Sequence, residues 1–258
     1  MYTELVDIYE DIEYFNKSAF MEALSLFKFF KNRRLPDGKK AGIKRAKSII
    51  DMGCGTAVHF PYLSPFFRLV GVDISEKMIR RALEQGRKVR RTAFVVADIR
   101  EVKFFKRFDG AYSIFGTLAH LVESHDLDIF LSNLARNLKR KAGFVFDVWN
   151  ALPFMLSPSS ERCFSVKTGG YLIERKVSYR VLPGSLLKVQ ENIEVFRGSE
   201  KREYEYSYLV RFFLRKSVED ILEKYGFKVL GVYSDYDGSP YDDNAQKMVF
   251  FTYLSRRI

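Results

Sequence analysis

Cysteine and histidine are scarce in this chain: two Cys, at positions 54 and 163, and three His among 258 residues. Two thiols cannot build a disulfide framework, and so few Cys and His leave little basis for a zinc site. Long apolar runs are missing as well. No stretch reaches the ~18 consecutive apolar residues that a membrane span needs. The opening residues, Met1-Tyr2-Thr3-Glu4, carry no apolar signal-peptide core. These absences predict a soluble, cytoplasmic protein with no membrane partner. Acidic residues are outnumbered, 32 Asp and Glu against 43 Lys and Arg, for a net charge of +11.

What is present is a globular composition. Apolar residues make up 47% of the chain, enough for a core. The length allows one large domain, or one domain with a sizeable insertion. Much of the positive charge lies in two segments. Lys28 to Lys47 holds nine basic residues against Asp37, and Arg80 to Arg91 holds six against Glu84. Attraction to a polyanion such as RNA is one reading. A solvated basic face is the other, and no nucleic-acid motif accompanies the charge.

Patterning divides the chain in three. Residues 1–44 read as a helical cap, with Phe20, Ala23, Leu24, Phe27 and Phe30 at helical spacing and a Pro36-Asp37-Gly38 turn after them. From residue 45 to 150, short apolar strands alternate with helices. Strands are expected at 48–52, 69–73, 93–97, 110–115 and 143–148, and helices near 57–63, 76–85 and 126–138. Such alternation predicts an α/β fold with a parallel sheet. Residues 151–214 switch to period two, as in Ile173, Val177, Tyr179 and Val181, and predict an inserted antiparallel meander. A helix follows from Ser217, with Asp220 in capping-box-like spacing. Two last strands, 227–233 and 248–254, flank a polar loop and return the chain to the first unit, so the core spans 45–150 and 215–258.

Four strand ends carry glycine or polar residues, and open parallel sheets bind ligands outside the carboxyl ends of their strands. The first is Asp51-Met52-Gly53-Cys54-Gly55, a tight turn of the kind glycine permits. The second ends at Asp73, a carboxylate able to accept both hydroxyls of a ribose. The third ends at Asp98, which can accept from an exocyclic adenine amine. The fourth runs from Tyr112 to Gly116.

This ordered set resembles the class I S-adenosylmethionine-dependent methyltransferases. Asp51 to Thr56 is similar to their glycine-rich first motif, and Gly71-x-Asp73-Ile74-Ser75-x-x-Met78 to their second strand. Ala97-Asp98-Ile99 is similar to the third, and Phe108 to Phe115 to the fourth. The resemblance implies a seven-stranded Rossmann-like sheet with a reversed last strand, the meander covering the active site. It implies S-adenosylmethionine as cofactor, contacted by Asp51, Gly53, Cys54, Gly55, Asp73, Ile74, Met78, Asp98, Ile99 and Phe115. Asp73 would hold the ribose, Ile74 and Met78 the adenine, and Asp98 its amino group. Ala57 departs from the pattern, which usually has a third glycine there. An NAD-binding Rossmann site is the rival, but Val58 stands where its third glycine belongs.

The meander and the segment Ser113 to Leu121 further resemble the sugar-amine and glycine or sarcosine N-methyltransferases, whose acceptors are small molecules. That implies His120 as candidate base and Tyr14 as candidate orienter, acting on an amine or hydroxyl by in-line displacement. Trp149 is read as a wall of the acceptor pocket, and His59 and His125 as bystanders. The alternative partner is RNA, drawn by the basic segments. Against it, the chain has no Asn/Asp-Pro-Pro-Tyr/Phe sequence and no Pro-Cys pair. A cofactor-sensing binding protein is the third reading, and a monomer or homodimer the expected state.

Overall fold

The apolar runs of the first half become adjacent parallel strands in the computed structural model, which describes residues 19–86, 89–168 and 170–256. These are β1 (Ser48–Met52), β2 (Arg68–Asp73), β3 (Thr92–Val96), β4 (Phe108–Ser113) and β5 (Leu138–Asn150), in the spatial order β3-β2-β1-β4-β5. Their near-continuous apolar character follows from burial on both faces. One face is covered by α1 (Ala19–Phe30), α2 (Phe60–Leu63) and α3 (Glu76–Gly86), through Phe29, Phe30, Phe60 and Ala82. The other carries α4 (Asp126–Asn137) and α6 (Arg215–Lys224), through Phe130, Leu134, Val218 and Leu222.

The sheet ends as the resemblance implies. β11 (Lys247–Leu254) runs antiparallel between β5 and β10 (Phe227–Tyr233). A short helix, α5 (Ala151–Leu156), then leads from β5 into the meander of β6 (Ser159–Thr168), β7 (Tyr171–Leu182), β8 (Leu186–Arg197) and β9 (Glu200–Phe213). The meander shares the sheet of the core. β4 accompanies β5 only to Phe146, and β9 pairs with the edge β4 leaves, Trp149 opposite Phe212 and Asn150 opposite Phe213. Its apolar face packs on α3 through Met78, Ile173 and Ile193, and beside β5 through Phe154, Val189 and Val210. It therefore spans the carboxyl ends of the core strands.

Three local readings are corrected. The buried stripe of α1 is Ala19, Glu22, Ala23, Leu26, Phe29 and Phe30, while Phe20 is 55% exposed. The expected face was rotated because Glu22, an acid, is buried by pairing rather than excluded. Helix α2 is one turn, because Ala57 sits at φ 59° and Pro61 occupies the helix start. Helix α6 begins at Arg215, two residues before Ser217, and Asp220 partners Lys216 rather than a cap. Among the described residues, no helix is long and apolar enough to cross a membrane.

Candidate active site

The turn after β1 is fastened to β2: the amides of Gly53 and Cys54 both donate to the Val72 carbonyl, at 2.8 and 2.9 Å. Gly53 (φ 85°) has no room for a side chain, since a Cβ there would lie 2.2 Å from Thr117 Cγ2. A Cβ on Gly55 (φ 51°) would meet nothing within 4 Å, so this backbone is open for close approach. The Asp73 carboxylate is held by backbone on both oxygens: Gly55 N donates to Oδ2 at 2.9 Å and Ser75 N to Oδ1 at 2.8 Å. Each oxygen keeps a lone pair for a ligand hydroxyl.

Asp73 lies on the wall of a cavity of about 1230 Å³, and the same wall includes Gly53, Gly55, Ile74, Met78, Asp98, Ile99, Phe115 and His120. Ile74 is 71% exposed, a large apolar side chain offered to a flat ring. Asp98 is not idle. Arg100 bridges it to Asp126, with both N–O distances 2.6 Å, and this guanidinium holds the Asp98 carboxyl below its ordinary value. Arg100 carries no motif signal.

Two expected contacts lie behind the wall. Asp51 and Cys54 are 3% and 8% exposed and do not line the cavity. Burial pushes both acids up: the Asp51 carboxyl, beside Tyr112, and the Cys54 thiol, packed against Gly71. Tyr14 lies outside the described residues.

The turn after β4 is the hinge of the site. Phe115 and Gly116 are consecutive left-handed residues, φ 66° and 72°. Their amides donate to one buried carboxylate on β5, Phe115 N to Asp147 Oδ2 at 2.9 Å and Gly116 N to Oδ1 at 2.6 Å. Tyr236, from the loop between β10 and β11, donates its hydroxyl to the same Oδ2 at 2.5 Å. Burial, then the Asp147 charge, raises the Tyr236 hydroxyl well above its ordinary value and keeps it a donor. Beneath the turn, the His59 ring centroid is 5.0 Å from that of Phe115, and its Nε2 is 3.0 Å from Glu22 Oε2. His59 is thus a buried support, whereas His125 is exposed at the start of α4.

Beyond the turn, the cavity continues under the meander. Trp149 stacks on Phe154 with ring centroids 5.5 Å apart, and both line it with Tyr179, Val189 and Tyr208. Glu191, 1% exposed, accepts from Arg175 Nη2 at 2.9 Å and from the Tyr208 hydroxyl. His120 ends a 3-10 turn, Thr117–His120, with its ring centroid 6.0 Å from that of Tyr208. It is exposed and lines the cavity. The enclosing protein lowers its pKa from 6.5, with Glu191 opposing, so imidazole is the form at neutral pH. Among the described residues, eight carboxylates line the cavity (Asp73, Asp98, Glu123, Asp126, Asp147, Glu191, Asp235, Asp237) against the four cations Arg100, Arg162, Arg175 and Lys247.

Comparison with known proteins gives the site a setting. Residues 49–141 match a family model described as a methyltransferase domain. The chain is 24% identical over 188 residues to the dTDP-3-amino-3,6-dideoxy-alpha-D-glucopyranose N,N-dimethyltransferase of Streptomyces fradiae, covering 72% of this chain and 71% of that one. Its fold is similar to that of an S-adenosylmethionine-dependent methyltransferase from Clostridium acetobutylicum, with a TM-score of 0.81 at 15% identity over 99% of both chains. It is also similar to SAM-bound CalS10, an amino pentose methyltransferase from Micromonospora echinaspora, with a TM-score of 0.75 at 17% identity over 96% of both chains.

Proposed function

We propose that this chain, a methyltransferase that draws on S-adenosylmethionine, methylates an amine of a small molecule, an amino sugar being the class its relatives' names point to. The observation that carries the reading is one continuous cavity lined both by the strand ends and by the meander, with His120 among its lining residues. When bound, the cofactor supplies an electrophilic methyl group on a sulfonium. The residues present fit it. The Gly55 backbone leaves space that a side chain would fill, the Asp73 oxygens have lone pairs for two hydroxyls, and Ile74 and Met78 offer an apolar slot. An excess of carboxylates among the described lining residues suits a cationic sulfonium and an ammonium acceptor. The RNA-acceptor reading has no nucleic-acid motif behind it.

The chain's own residues then orient and deprotonate. Trp149, Phe154 and Tyr208 wall the acceptor and exclude water. An ammonium has no lone pair, so it must lose a proton before it can act as nucleophile, and neutral His120 stands where it can take one. His120→Ala is expected to lower kcat by about 10²-fold while leaving S-adenosylhomocysteine affinity within twofold. Unchanged turnover in steady-state assays reduces His120 to packing. The pH dependence has a definite sign. A base must be unprotonated, so activity is lost as pH falls through the His120 pKa. That acid limb should lie below pH 6.5 in kcat/KM profiles and vanish in His120→Ala.

A further inference from the structure

We propose that the opposite end of the sheet is a docking rim for a single strand of nucleic acid, separate from the cavity and not a methyl acceptor. The topology makes the rim. Parallel strands start on one edge of the sheet, and in this chain their starts are basic. In sheet order, Arg91 precedes β3, Arg68 opens β2, Lys47 precedes β1, Arg107 precedes β4, Arg140 lies at the start of β5, and Arg256 follows the reversed β11. All six are exposed. Hydrogen bonds fix their adjacency: in the backbone, Arg68 N donates to Lys47 O at 2.9 Å and Leu69 N to Arg91 O at 3.0 Å, while the Arg140 side chain donates from Nε to Ser255 O at 3.3 Å. Five strand intervals make a row ~24 Å long.

The acid among them, Asp109, is 16% exposed and already engaged, by Lys139 Nζ at 2.7 Å and by the amides of Lys47 and Ser48. The Asp109 charge is therefore already taken up and does not offset the six rim cations. Aromatic rings stand beside the cations. Phe105, next to Lys106, is 112% exposed, so its ring is wholly in water. Phe66, two residues from Arg68, is 44% exposed, with Lys31 Nζ 5.7 Å from its centroid. A row of cations with flanking rings is the arrangement that binds single strands, by phosphate neutralisation and base stacking. A lipid surface would need a broad apolar face beside the charge; the rim offers a line with separate rings.

Position sets the role. Strands of five or six residues hold the rim ~17–20 Å from the cavity floor, and the cavity is acidic where the rim is basic. A strand on the rim is anchored there without presenting a base to the methyl-transfer site. The rim thus gives Lys47 and Arg91, the ends of the two basic segments, a use that small-molecule methylation leaves open.

The test is fluorescence anisotropy with a labelled 12-nucleotide single-stranded RNA and the full chain. Parent protein should bind at 50 mM salt, and four times the salt should weaken binding roughly 50-fold for about four phosphate contacts. The rim double variant Arg68→Glu/Arg91→Glu should bind at least tenfold more weakly. A control of equal charge change on the meander, Arg180→Glu/Lys188→Glu, should lose less than threefold. Phe105→Ala should lose about fivefold or more. All variants should keep the parent melting temperature and the parent turnover of the small acceptor. The proposal is overturned by no RNA binding at 50 mM salt, by equal loss in rim and control variants, by binding to phosphatidylserine vesicles but not RNA, or by methylation of the bound strand.

Discussion

An Asp147→Ala chain is expected to unfold with about 3–5 kcal/mol less free energy than the parent, because one buried carboxylate satisfies three donors and its loss strands them all. For a chain of this size that is a fall in melting temperature of roughly 10 °C, measurable by calorimetry or urea titration. The cost reaches the chemistry, since the same carboxylate holds Phe115 and Gly116 in left-handed conformations and so places the turn that ends in His120. Turnover should fall by about 10²-fold through misplacement of the base, at temperatures where the variant is folded. Tyr236→Phe removes one donor and leaves the turn amides bound. It should cost about 1 kcal/mol and change kcat little. Asp147→Ala destabilising by under 1 kcal/mol shows that the turn is held by other contacts.

Asp73→Ala should abolish ligand-induced stabilisation. At a concentration 100 times its Kd, S-adenosylhomocysteine stabilises a folded protein by about 2.7 kcal/mol, a shift of roughly 5–10 °C here. Two hydrogen bonds to a charged group are worth about 3–5 kcal/mol together, so the variant's affinity should drop by about 10²–10³-fold and the shift disappear. The loss is compounded by Gly55 N and Ser75 N, which Asp73 also anchors. A shift retained in Asp73→Ala places the ligand elsewhere.

The core sheet and most of the residues that line the cavity at the strand ends were legible because strand ends and glycines are local signals. Asp73 is recognisable 18 residues past Gly55, and the structure joins them by one hydrogen bond. Asp147 was not legible. It sits within the apolar stretch Phe144 to Val148, where an acid passes for an exposed position, although its partner Tyr236 lies 89 residues further on. A single acid inside a strand buried on both faces was the available signal. Arg100 and Glu191 were missed for a similar reason: Arg100 reaches Asp126, 26 residues away, and Glu191 reaches Arg175 and Tyr208, 16 and 17 residues away. Asp51 and Cys54 were over-read, because a motif position shows proximity to a turn and not which way a side chain points. Glu22 rotated the expected face of α1, since hydrophobic spacing has no place for an acid buried against a histidine.

Methyl transfer itself tests the account most directly. The chain is incubated with methyl-labelled S-adenosylmethionine and a panel of small amines that includes amino sugars, in the absence of nucleic acid, and products are read by mass spectrometry. Label is expected on the nitrogen of a small acceptor, lost in Asp73→Ala and strongly reduced in His120→Ala. Label found on RNA alone, when RNA is supplied in a parallel reaction, contradicts it.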